Sequence, residues 1–175
     1  MAPINIPNTA KIIIKTTTNG LKQIQLSHWS EEKFSQLKFC KIKIYLQEKP
    51  FFCKKLRKDL KTYFSGRQVV FTYPIDWQGI TPFTQNVLKL AQLIPWGKIE
   101  TYGRLNTKLA IKSSPRAVGA ALRRNPVPIV IPCHRVQKKS GALGGFSSGI
   151  GWKKFLLGLE SGTAPETQIE FREVK

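Results

Sequence analysis

The chain is 175 residues long, carries 29 Lys+Arg against 10 Asp+Glu for a formal charge of +19, and is 41% hydrophobic. That length suits one domain or two small ones with a core that needs no metal or disulfide staple, and the apolar fraction excludes a disordered polycation. A pI near 10.2 points to a polyanionic partner, nucleic acid before an anionic membrane surface.

The opening residues MAPINIPNTA have neither a basic n-region nor an apolar core, and no run approaches the ~18 apolar residues of a membrane span, so a soluble, intracellular protein is expected. Residues 11–17 (KIIIKTT) and 21–26 (LKQIQL) flank Asn19-Gly20, a strong hairpin signal. After Pro50, the apolar positions Phe51, Phe52, Leu56, Leu60 and Phe64 recur at helical spacing with lysines opposite. Val69–Tyr73, β-branched and aromatic, reads as a further strand, and Asp76–Ile80 (DWQGI) as a linker. The first half is thus expected to be a small α+β unit over residues 1–80, and residues 81–175 a second, mainly helical one.

From Thr81 the pattern turns helical. Thr81-Pro82 pairs an N-cap with proline at the first helical position, and Phe83, Val87, Leu88 and Ala91 supply an apolar face that ends before Pro95. Thr101 caps a short helix predicted over Tyr102–Ala110, and Ser114-Pro115 opens another running to about Arg124. Two short capped helices, the second basic and rich in small residues, are what a helix-turn-helix looks like in sequence.

Charge adds a local feature. Residues 1–80 hold 14 basic and 5 acidic side chains and residues 81–175 hold 15 and 5, so the excess is no basic tail. Thr101–Leu159, however, contains no Asp or Glu, while Arg104, Arg116, Arg123, Arg124, Lys138 and Lys139 fall inside it. Such a stretch lacks counter-charges of its own and suits phosphates.

Chemistry concentrates in Asn125–Val136 (NPVPIVIPCHRV). Three alternating prolines forbid a helix, and the apolar run Val127–Ile131 is expected to deliver Cys133 and His134 from a buried strand. Cysteine attacks as thiolate, and His134, Arg135 and the acid-free flanks offer a base and positive surroundings. Neighbours on a strand face opposite ways, so a bridging water between thiol and imidazole is expected. A structural core cysteine is the alternative. Of the other cysteines, Cys40 and Cys53 stand far apart, so no disulfide framework is indicated. The loop Ser140–Gly151 (SGALGGFSSGIG) has the exposed backbone to meet a flat ligand or a phosphate but lacks the ending of a P-loop. Helical periodicity resumes at Trp152–Leu159 and reaches Glu160, the first acid after Glu100, which either balances charge or orients His134 as the third member of a nucleophile–base–orienter set.

The ordered set Arg116-Ala117-Val118-Gly119, Asn125-Pro126-Val127-Pro128, Pro132-Cys133-His134-Arg135-Val136, the Ser147 loop and Leu156-Leu157-Gly158-Leu159-Glu160 resembles the O6-alkylguanine-DNA alkyltransferase (methylated-DNA–protein-cysteine methyltransferase) family over residues 81–161. The resemblance implies a small N-terminal ribonuclease H-like α/β domain and a C-terminal domain with a winged-helix-like helix-turn-helix. It implies a single-use DNA repair reagent that takes an alkyl group from O6 of guanine, less readily from O4 of thymine, irreversibly onto Cys133. His134 would act through water as base with Glu160 polarising it, and Asn125 would brace the turn. Arg116 would fill the stack vacated by the flipped base, and Tyr102 would crowd the phosphate and help to protonate the leaving guanine. The Cys133 and Val136 carbonyls would read the guanine N2 amine, Ser147 would lie near O6, and Arg124 and Lys139 would touch phosphates. The partner would be double-stranded DNA containing O6-alkylguanine, bound by a monomer in a prokaryotic cytoplasm or a eukaryotic nucleus, with no membrane, obligate protein partner or cofactor. Phe146 stands where several relatives have tyrosine. Some members hold zinc through N-terminal Cys and His residues, but Cys40, Cys53 and His28 lack the paired spacing, so no metal is expected. Pro128 and Gly144 fit a roomy pocket. Two other readings are an alkyltransferase-like protein that binds lesions without repairing them, disfavoured by the presence of Cys133, and a helix-turn-helix regulator with a structural Cys133.

Overall fold

The computed structural model describes residues 9–32, 39–47 and 53–173. In chain order its elements are β1 (Thr9–Thr17), β2 (Gly20–Leu26), β3 (Phe39–Gln47), α1 (Cys53–Phe64), α2 (Pro82–Gln92), β4 (Glu100–Thr101), α3 (Tyr102–Thr107), α4 (Pro115–Arg123), a 3-10 turn (Cys133–Arg135), β5 (Val136–Gln137), α5 (Ile150–Ser161) and β6 (Glu166–Glu173). Phe51 and Phe52, expected in the first helix, lie outside the described residues. No helix among the described residues is long and apolar enough to cross a membrane.

The hairpin forms where Asn19-Gly20 predicted it. Gly20 sits at φ +132°, and a Cβ there would come 2.3 Å from the Pro74 carbonyl oxygen, so both backbone and space require glycine. The sheet order is β2-β1-β3-β6, with β1 antiparallel to β2 and parallel to β3, and β3 parallel to β6. Alternate residues Ile12, Ile14, Ile42 and Ile44 are buried, as are Leu56, Leu60 and Phe64 of α1. Each such side chain contributes about 1.5–3 kcal/mol. The last strand thus belongs in space with residues 9–64, although a division at residues 80/81 groups it with the helices.

Three expectations need correction. Val69–Tyr73 forms no strand: Pro74 removes a donor, and Phe71 and Tyr73 instead turn their rings towards α1, with Phe71 at 5.6 Å from Tyr63. The linker Asp76–Ile80 is docked: Thr17 donates to the Asp76 carboxylate at 2.8 Å, and the Asp76 N–H bonds the Leu21 carbonyl at 2.9 Å. Val127–Ile131 is a tight buried turn rather than a strand, closed by Ile131 N–H to the Val127 carbonyl at 2.9 Å with Ile129 at φ +76°. The apolar run is buried, as its composition predicts, but prolines on both sides leave it no ladder to join.

The two halves share one core. The Ile24 N–H of edge strand β2 donates to the Pro126 carbonyl at 2.8 Å, Trp29 N–H to Ser148 at 2.9 Å and the Trp152 indole to Ser27 at 2.6 Å. Trp29 and Trp152 lie 4.9 Å apart, and Tyr63 meets Trp96 edge-on at 5.3 Å. Both the turn before Cys133 and the loop after it are therefore anchored on the N-terminal half.

Candidate active site

The caps read from sequence hold. Thr81, Thr101 and Ser114 each accept a backbone N–H in the first turn of α2, α3 and α4, with proline at the first position of α2 and α4. Helix α3 stops at Thr107, three residues short of the expectation. Helix α4 leads into Asn125, whose amide organises the next turn. Its Nδ2 donates to the Ile131 carbonyl at 2.9 Å and to Cys133 Sγ at 3.0 Å, while Oδ1 accepts Val127 N–H at 3.0 Å. The chain then makes the 3-10 turn and enters β5, which pairs with β4 directly before α3 and so brings Tyr102 to the thiol's side.

Cys133 lines a cavity of about 720 Å³ together with Tyr102, Arg116, Arg124, Phe146 and Ser147. Arg116, Arg123, Arg124 and Lys138 ring it, and no described carboxylate lies within ion-pair distance of them. Elsewhere the acid-free stretch borrows partners: Arg104 and Lys108 pair with Glu100, and Lys154 with Glu31. Lys139 sits on an exposed turn outside the cavity, which its neighbour Lys138 lines instead. Gly144 takes φ +73°, and a Cβ there would stand 2.6 Å from the Tyr102 hydroxyl, so this glycine lets loop and phenol meet.

Behind the thiol lies a buried polar cluster. His134 Nε2 is 2.8 Å from Glu160 Oε1, and Arg135 grips the same carboxylate from Nε at 2.9 Å and Nη2 at 2.9 Å while Nη1 donates to the Ile94 carbonyl at 2.6 Å. Gly97 N–H adds a bond to Oε2 at 3.1 Å and the Tyr63 hydroxyl one to Oε1 at 3.0 Å. Burial pushes Glu160 up, but the bonds from His134 and Arg135 outweigh it and bring the carboxyl from 4.5 to about 2. An ionised Glu160 only accepts, so the network assigns the proton of neutral His134 to Nε2. Nδ1, buried and without a hydrogen-bond partner among the described residues, keeps a lone pair. Burial also holds the imidazole below its ordinary pKa despite the bond and charge of Glu160, so it rests neutral, as a base must.

The thiol is not a resting thiolate. Burial raises its pKa, and the Asn125 bond and Lys153 charge offset this in part. Arg135, expected to provide positive surroundings, is committed to Glu160 instead, and that task falls to Lys153. Its Nζ donates to the Val136 carbonyl at 2.6 Å and to that of Leu143, and burial pushes it down to about 8. Val136 itself is buried, with its carbonyl already serving Lys153. Cys40 contrasts: sealed in the sheet, its thiol is pushed up to about 12. From the sequence Lys153 is only one of the basic residues of the acid-free stretch, not singled out for the thiol, and Tyr63 is not singled out at all. Lys153 was legible, since it precedes Glu160 by two helical turns and shares its face. Tyr63 carried no sequence signal.

The family described as "6-O-methylguanine DNA methyltransferase, DNA binding domain" matches residues 82–162. The chain is 43% identical over 107 residues to the methylated-DNA–protein-cysteine methyltransferase of Saccharolobus islandicus, covering 61% of this chain and 68% of that protein. It is 40% identical to the protein of the same name from Methanosarcina mazei, covering 66% and 72%. Among solved structures, Mycobacterium tuberculosis OGT in complex with DNA is similar at TM-score 0.69 and 28% identity, covering 90% of this chain and 95% of that one.

Proposed function

This chain belongs to the methylated-DNA–protein-cysteine methyltransferase family, and we propose that its direct alkyl-transfer repair of DNA runs through Cys133 as acceptor, with His134, Glu160 and Asn125 serving it. The observation that carries the assignment is the joint geometry of a cavity-lining thiol held by Asn125 and a neutral His134 whose free Nδ1 is fixed by an ionised Glu160.

The substrate is double-stranded DNA containing O6-alkylguanine, with O4-alkylthymine a poorer one. A reacting O6 atom inside a duplex is out of reach, so the base is extruded into the cavity while Arg116, exposed on the first turn of α4, fills the gap in the stack. In this reading α3, α4 and the β4–β5 pair form a winged-helix-like helix-turn-helix, and Arg124 and Lys139 meet phosphates. The N-terminal sheet with α1 is the ribonuclease H-like unit. Ser147 lies near O6, and the Cys133 and Val136 carbonyls face the N2 amine.

The thiol proton passes through a water to His134 Nδ1. The Sγ electron pair then forms a bond to the alkyl carbon as the carbon–O6 bond breaks, and the guanine takes up a proton with help from the Tyr102 hydroxyl. A thioether cannot reverse this under the same conditions, so each molecule acts once; every group used comes from one chain and the DNA, in keeping with a monomer that uses no cofactor. The test is a titration with a duplex bearing one O6-methylguanine. Lesion loss should plateau at one equivalent, and Cys133→Ser should bind the duplex without removing the lesion. Binding without loss in the parent protein favours the lesion-binding alternative.

A further inference from the structure

Helix α1 belongs to the N-terminal half, yet its Tyr63 reaches the polar cluster behind the thiol. The side chain is fully buried, wedged edge-on against Trp96 at 5.3 Å and beside Phe71 at 5.6 Å. Its hydroxyl donates to Glu160 Oε1 at 3.0 Å and stands 3.4 Å from His134 Nε2. Glu160 Oε1 therefore serves donors from two halves of the fold at once, the phenol of α1 on one side and the imidazole and guanidinium of the 3-10 turn on the other.

We propose that Tyr63 is a positioning residue of the transfer reaction, its hydroxyl fixing the Glu160 carboxylate and limiting how far that carboxylate favours the imidazolium, so that His134 rests neutral with Nδ1 able to take the thiol proton. This rests on the alkyl-transfer reading above. The phenol is a donor throughout the working pH range, because burial and the Glu160 charge raise its pKa well above the ordinary value. The charged and titratable groups facing His134 are Glu160 and Lys153 from α5, Arg135 and Cys133 from its own turn, and Tyr63 from α1. Of these, Arg135 keeps the carboxylate neutralised and Lys153 is turned to two carbonyls. The Tyr63 hydroxyl is thus the neutral donor whose removal changes the His134–Glu160 bond without stranding a charge. With one donor fewer on Oε1, the carboxylate binds the protonated imidazole more tightly, and His134 picks up its proton at higher pH.

The experiment compares single-turnover transfer from an O6-methylguanine duplex against pH for the parent, Tyr63→Phe and Tyr73→Phe. Tyr73 is a control: it is also buried and its hydroxyl donates to Asp59 of α1 at 2.6 Å, away from the thiol. In Tyr63→Phe the acid limb should move up by about half to one pH unit, leaving the rate roughly three- to tenfold lower on the acid side and within about twofold on the plateau. Tyr73→Phe should keep the parental profile. A Tyr63→Phe profile that superimposes on the parent, or one lowered by the same factor at every pH, overturns the proposal, because a structural role alone would not move the limb. Failure of the parent protein to transfer at all would instead overturn the alkyl-transfer reading itself.

Discussion

Replacing Glu160 by Gln should cost stability at neutral pH. The carboxylate takes bonds from Tyr63, His134, Arg135 and Gly97 in a setting where its side chain is 1% exposed, and the amide would leave Arg135 with a buried, uncompensated charge. Breaking a buried pair in this way costs roughly 3–5 kcal/mol. The carboxyl's own titration gives a figure of similar size: lowering it from 4.5 to about 2 on folding corresponds to about 3 kcal/mol at neutral pH. A depressed folded value means that this contribution is complete above 4.5 and disappears as pH falls towards 2. Of it, about 2 kcal/mol is lost between pH 7 and pH 3. Urea melts at pH 7 should therefore show Glu160→Gln less stable by roughly 3–5 kcal/mol. Other carboxylates titrate alike in both proteins, but Glu160 also raises the pKa of His134, so the variant's own acid loss carries the imidazole's shift and the pH 7 comparison is the decisive one. A variant within about 1 kcal/mol of the parent at pH 7 would refute the reasoning.

Two further outcomes follow from the same geometry. Lys153→Met should slow transfer roughly tenfold near neutrality, since the thiol loses its charged neighbour and the Val136 and Leu143 carbonyls their donor. Stopped single-turnover assays should show that deficit shrinking as pH rises through about 8, where the parent's own Lys153 loses its proton. Arg116→Ala, at an exposed helix start without an ion pair, should leave the melting temperature unchanged and impair transfer from duplex DNA more than it weakens binding; equal losses would argue against a role in base extrusion.

Much of the site was legible because it lies in one stretch. Prolines mark the turn, Cys133 and His134 sit side by side, and Asn125 and Glu160 bracket them. Local chemistry also announced the hairpin at Asn19-Gly20 and the capped helices at Thr81, Thr101 and Ser114. What was hidden depended on distance along the chain. Val127–Ile131 has the composition of a strand, and only the lack of a partner edge makes it a turn. The alternation of β3, with Cys40, Ile42, Ile44 and Leu46 buried, is a strand pattern that the preceding sequence does not delimit with a turn signal. Strand β6 declares itself only by pairing with β3, more than a hundred residues earlier. Tyr63 meets Glu160 across 97 positions, and no local pattern distinguishes it from any other apolar-face tyrosine.

The fate of one sulfur tests alkyl transfer to Cys133 most directly. After incubation with a duplex carrying O6-methylguanine and proteolysis, mass spectrometry should find a single methyl group on the peptide containing Cys133, none on those containing Cys40 or Cys53, and no further increase with excess DNA. An unmodified Cys133 peptide from protein that binds the lesion, or a methyl group on another residue, would contradict it.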